Sequence, residues 1–180
     1  MTALFKFSAL IGFFLFLGCS RELTLQTYFV EHQETSGFMS VDIPMSFLNP
    51  DKIELSEDQQ QAIDSIDKLN MLAYSLKDGT EDEFNTELAI IKTILKAEKY
   101  NELMRGGNKA EGKIYIKYIG EDSEIDELII FGFSTDNGFA VIRVLGDDME
   151  LSKIMKLENI VDQLDAKNAN VEDFMNFLLK

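Results

Sequence analysis

Cys19 and His32 are the only cysteine and the only histidine in the chain. A thiolate beside an imidazole is a nucleophile with its base, so this pair is the first chemistry to consider. It fails if Cys19 is committed elsewhere. His32 alone would need partners to act as a general base. It falls in a short amphipathic stretch, where a structural or surface role is the expectation. One histidine and one cysteine do not make the usual tetrahedral zinc site. Other nucleophile and phosphate motifs are missing. There is no G-x-S-x-G, Gly106-Gly107 is not followed by Lys-Ser/Thr, and no G-x-G-x-x-G opens a helix. Asp122, Glu124 and Asp126 have the one-three-five spacing of a calcium loop. Positions six and twelve, which need Gly and Glu, hold Glu127 and Phe133. Asp147, Asp148 and Glu150 read as an acidic cluster at a helix start. Paired acids could serve glycoside hydrolysis, but tryptophan, the usual sugar platform, is absent. The expectation is no metal, no cofactor and no enzyme activity.

Cys19 has another explanation. Lys6 and the α-amine precede an apolar run, Phe7 to Leu17, and then Gly18-Cys19. Eleven helical residues span roughly 16 Å, against a hydrocarbon core of about 30 Å. The run is too short to be a stable span and has signal-peptide flanks. Its end resembles a bacterial lipobox, in which a small residue precedes a cysteine that is lipidated and becomes N-terminal. Phe16 and Leu17 stand where lipoboxes usually carry Leu and a small residue. An exported protein with one thiol cannot form an internal disulfide, and lipidation accounts for the odd cysteine. Two or more acyl chains anchor a protein stably without a span. The expected site residues are therefore Gly18 and Cys19 for cleavage and Cys19 for lipid attachment. Ser20 after the cysteine, rather than Asp, is permissive for transfer to the outer membrane in some bacteria.

The charge balance narrows the partners. The chain carries 32 acidic and 17 basic residues, a formal charge of −15. Cleavage removes Lys6 and takes it to −16. That sign repels phosphate backbones, so no nucleic-acid partner is expected. Membrane contact is expected through the lipid on Cys19.

The remaining elements follow from periodicity. Residues 24–34 read as a helix. Val41, Ile43, Met45 and Phe47 alternate with polar residues, which predicts a strand over 38–47; Pro44 places it at an edge. Ser56-Glu57-Asp58-Gln59 and Thr80-Glu81-Asp82-Glu83 are capping boxes that open helices. Phe84, Leu88, Ile91 and Leu95 form the apolar stripe of the second. Its later Lys92, Lys96 and Lys99 complement the helix dipole. Extended character is predicted for 68–76, 100–105, 113–119, 127–135 and 139–145, with a turn at Gly106–Lys109 and a tight turn at Asp136-Asn137-Gly138. The stretch 127–135 is apolar on both faces, as a central strand would be. Gly146-Asp147-Asp148 is expected to start a helix. Val171, Phe174, Phe177 and Leu178 fall on one face of a last helix.

This order predicts an α+β domain, a mainly antiparallel sheet with helices on one face in a two-layer sandwich. The expected division is a signal peptide over 1–18, a tether over 19–23, the domain over 24–157 and a helical tail over 158–180. The segments Ser36–Val41, Glu98–Met104 and Val144–Asp147 with Leu151 resemble a family of Bacteroidota putative lipoproteins, the domain of unknown function 4252. The resemblance carries no activity. The reading is a non-catalytic, lipid-anchored cell-envelope protein, in the outer membrane facing the periplasm, that binds an envelope protein or acts as a scaffold. The alternatives are a carrier or sensor of a small apolar ligand, and an enzyme with an unrecognised carboxylate site.

Overall fold

A computed structural model describes residues 23–48, 50–108 and 112–163. Cys19, Gly18, the apolar run and the residues of the predicted last helix lie outside the described residues.

Three helices begin where the backbone finds local hydrogen-bond partners. Helix α1 (Leu25–His32) opens on Thr24, whose hydroxyl accepts from Thr27 N while the Thr27 side chain accepts from Thr24 N. Helix α2 (Glu57–Asp64) uses the Ser56–Gln59 box and α3 (Glu81–Ile94) the Thr80–Glu83 box. Each box satisfies two otherwise orphaned N–H groups. The strands are β1 (Phe38–Pro44), β2 (Ile66–Ser75), β3 (Asn101–Asn108), β4 (Gly112–Glu121), β5 (Glu124–Ser134) and β6 (Gly138–Met149). They form one sheet in the order β1-β2-β6-β5-β4-β3, antiparallel at every pairing. The expected α+β class and antiparallel sheet are thus what the structure has. The strand with Pro44 is at an edge, and the apolar β5 is central.

Side chains of opposite parity enter two different clusters. Leu72, Tyr74, Ile129, Phe131, Phe139 and Val141 pack under α1 and α3. Met71, Ala73, Leu128 and Val144 pack on the other side, with Ala62 and Ile63 of α2 and Leu151 and Ile154 of a one-turn helix, α4 (Leu151–Ile154). A 3-10 segment, Met155–Gln163, adds Ile160 to that second cluster. Helices α1 and α3 make the helical layer of the sandwich, and α2, α4 and the 3-10 segment close one end of the opposite face.

Three expectations change. The helix foreseen at Gly146 starts at Leu151, because β6 continues through Asp147 and Asp148 to Met149, which pairs with Ile125. Glycine fits at 146 because the chain between α2 and β2 comes close: a Cβ there would lie 1.9 Å from Ser65 O. Asp148 adopts φ 54°, a left-handed conformation that Asp tolerates better than most residues. The turn foreseen from Gly106 is also displaced. Gly106, Gly107 and Asn108 extend edge strand β3 and pair with Ile114, Lys113 and Gly112. Met45 leaves β1 for a 3-10 turn, Met45–Leu48. Pro44 offers no N–H, so the ladder ends there.

Candidate functional site

His32 does meet a carboxylate, but within a packed aromatic group. Its Nδ1 is 2.8 Å from Tyr28 O and its Nε2 is 3.4 Å from Glu87 Oε2. A carbonyl only accepts, so Nδ1 holds the proton of that bond. The ring stacks on Tyr28 at 4.1 Å and lies 4.6 Å from Phe38. Tyr28 donates to Glu87 at 2.7 Å. Burial, then the Glu87 hydrogen bond and charge, push the phenol well above its ordinary value. The group ties α1 to α3 and to β1.

Asp122 accepts from Tyr118 at 2.6 Å in the β4–β5 turn. Asp147 and Asp148 lie in β6, and Glu150 at the start of α4 pairs with Lys153 at 2.8 Å. No group of three or more His, Cys, Asp or Glu that could hold a metal ion occurs among the described residues.

A buried ion pair is one arrangement the sequence reading missed. Arg143 on β6 donates from Nε to Glu127 Oε1 at 2.7 Å and from Nη2 to Oε2 at 2.9 Å. Both residues are buried, and the guanidinium sits 5.3 Å from the Phe29 ring centroid. The forked geometry satisfies two acceptors at once. The available signal was a lone charge in each of the predicted strands 127–135 and 139–145.

Among the described residues, the surface left open is the far end of the second sheet face. Strand register lines up Val41, Met71, Ile142, Ile130, Ile116 and Met104 in one row across the sheet. Val41 and Met71 are buried; Ile142, Ile130 and Ile116 are half-buried; Met104 is 49 % exposed. The next row runs Met39, Ala73, Ala140, Gly132, Ile114 and Gly106. Ala73 is fully buried, and the small residues Ala140, Gly132 and Gly106 leave a trough beside the isoleucines. A cavity of about 340 Å³ lies at this end, with Gly107, Ile114, Gly132 and Ala140 in its wall. Strands β4, β5 and β6 position these side chains, since every second residue of each must face this way.

The matched segment spans the whole sheet. A family model described as a domain of unknown function, DUF4252, matches residues 29–157. The chain belongs to that family. The DUF4252 match begins in the last turn of α1 and ends just after α4. No curated protein and no solved structure matches the chain. Among the described residues of this DUF4252 protein, no helix is long and apolar enough to cross a membrane.

Proposed function

We propose that this protein is a non-catalytic, lipid-anchored protein of the bacterial cell envelope whose domain binds an envelope protein through its half-open sheet face. Lipid on Cys19 holds it in the outer membrane, facing the periplasm. The observation that supports binding is the graded exposure of one apolar row, from buried Val41 to exposed Met104. Contiguous apolar surface is costly in water and commonly marks an interaction site. The trough of Ala140, Gly132 and Gly106 favours a partner that presents an apolar ridge. The tether of a few residues after Cys19 keeps that contact close to the membrane.

Site-specific photocrosslinking tests this reading. A photoreactive residue is placed at Ile114 or Met104 in the full chain, and the cells are irradiated before membranes are extracted. The expected product is one discrete heavier band at both positions and none at exposed Val30 on the helical side. Only uncrosslinked monomer at both positions counts against partner binding. The Cys19→Ser chain tests the anchor separately, since it should leave the membrane fraction.

A further inference from the structure

Four lysines of this acidic chain gather beside one aromatic cleft. Lys92 and Lys96 come from the C-terminal part of α3 and its extension, and Lys113 and Lys117 from β4. The cleft is a cavity of about 280 Å³ with Lys92, Lys96, Lys117, Tyr115 and Phe131 in its wall, and Glu102 as its one acid. Lys92 Nζ lies 4.0 Å from the centroid of the Phe133 ring, and Phe133 pairs with Lys113 across β4 and β5. Tyr115, Phe131 and Phe133 stack on one another with centroids 5.6 to 6.4 Å apart.

Complementing the dipole of α3 accounts for lysines in its last turn. It does not account for lysines from a strand meeting them over the same aromatic floor. Like charges brought together oppose one another, and the cost shows at Lys92. Burial, then the charges of Lys113 and Lys96, hold its ammonium below the usual lysine range. Lys117 donates to Tyr100 O at 3.0 Å, which fixes its position. An anion with an apolar body would relieve the repulsion and cover the rings at once.

We propose that this cleft binds a small amphiphilic anion, with the lysine ammoniums on its carboxylate or phosphate and Tyr115 and Phe133, the partly exposed members of the aromatic stack, against its apolar body. The cleft lies on the α1–α3 side of the sheet; Lys113 and Phe133 at its margin also line the cavity at the end of the other face, whereas Lys92, Lys96 and Lys117 line the cleft alone. The anion could be supplied as a free molecule or as a lipid headgroup.

Lysine-resolved amine acetylation of the full chain in phosphatidylcholine nanodiscs tests the site, with mass spectrometry reading each lysine. The probe is 4-phenylbutyrate. It should slow acetylation of Lys92, Lys96 and Lys117 several-fold and leave the exposed Lys52 and Lys68 unchanged. Neither butyrate, which lacks the ring, nor 4-phenylbutanol, which lacks the charge, should do this. In the chain carrying Lys92→Met and Lys113→Met, protection of Lys96 and Lys117 should vanish; Lys92→Gln alone serves if that chain misfolds. Protection by the probe in these discs assigns the site to a free anion. Protection that appears only when phosphatidylglycerol is in the discs assigns the same chemistry to a headgroup. Absence of protection in both disc types, or equal protection by butyrate or by 4-phenylbutanol, overturns the proposal.

Discussion

Ile129 and Ile130 are consecutive on β5 and have opposite fates. Ile129 faces α1 and α3 and is fully buried; Ile130 faces the other way and keeps part of its surface. The same contrast runs across the sheet. Under the helices Tyr28, Tyr74, Phe131 and Phe139 are each 1 % exposed, while on the far end of the other face Ile114 is 39 % exposed. Composition separates the faces in part, since the aromatic residues gather under α1 and α3 and the other face is mostly aliphatic with small residues. Coverage separates them further: among the described residues α1 and α3 lie along one face, whereas α2, α4 and the 3-10 segment close only an end of the other. The closed face carries the more deeply buried core, and the open one is where apolar surface remains exposed.

The largest expected effect is on the closed face. Glu127→Ala strands a buried guanidinium, which should cost about 3–5 kcal/mol. Replacing both partners, Glu127→Leu with Arg143→Met, should recover most of that loss, because two apolar residues of similar size need no pairing. Urea unfolding midpoints of the three chains would decide. If the double replacement is as damaging as the single one, Arg143 matters through Phe29 rather than through Glu127.

Next comes the pair on β5. Ile129→Ala should destabilise by about 2–5 kcal/mol through lost burial and a cavity. Ile130→Ala should cost about 1 kcal/mol, and the crosslinking at Ile114 should weaken in it. Equal losses at the two sites would mean that the second face is as closed as the first.

What could be read from the sequence was whatever depends on near neighbours. The boxes at Ser56 and Thr80 mark helix starts because their hydrogen bonds span three residues. The box at Thr24 was not recognised, since Thr27 stands where Glu or Gln is usual. Pro44 announced an edge because it cannot donate. Contacts set by register were out of reach. Glu127 and Arg143 are 16 residues apart, and their meeting depends on how β5 pairs with β6. Asp147 and Asp148 looked like a helix start, but Ile125 and Ser65, both distant in sequence, hold that segment extended. Lys92 and Lys96 were readable as helix charges; that Lys113 and Lys117 join them needed the fold of the sheet.

A smaller effect is expected where the helical layer is pinned to the sheet. The Thr80 hydroxyl accepts from Glu83 N and donates to the Glu83 carboxylate at 2.9 Å. Thr80→Ala should cost about 1 kcal/mol, measured by thermal unfolding at neutral pH. Tyr74 Oη accepts from Thr80 N at 2.7 Å, so its ring also carries the contact from sheet to helix. Gly79 makes room for that ring, since a Cβ there would lie 2.0 Å from the Tyr74 oxygen.

The smallest effect is the pH dependence of this same contact. The Thr80 side chain first, then Tyr74 and the Thr80 backbone, hold the Glu83 carboxyl below its ordinary value of 4.5. A depressed folded value means that the unfolded chain takes up this proton first as pH falls. The carboxylate's contribution is therefore complete above about pH 4.5 and is lost as pH drops through the lower folded value. Glu83 is solvent-exposed, so the change is a shallow one on the acid limb. Glu83→Gln keeps a hydrogen-bonding side chain and removes the titration. Its stability should fall less than that of the wild-type chain between pH 5 and pH 3, a range of about two units around the ordinary carboxylate value. The open face offers a control, because Ile114→Ser changes no titrating group and should leave the acid limb parallel to wild type. If Ile114→Ser changes that limb as much as Glu83→Gln does, the acid sensitivity does not arise at the Thr80–Glu83 contact.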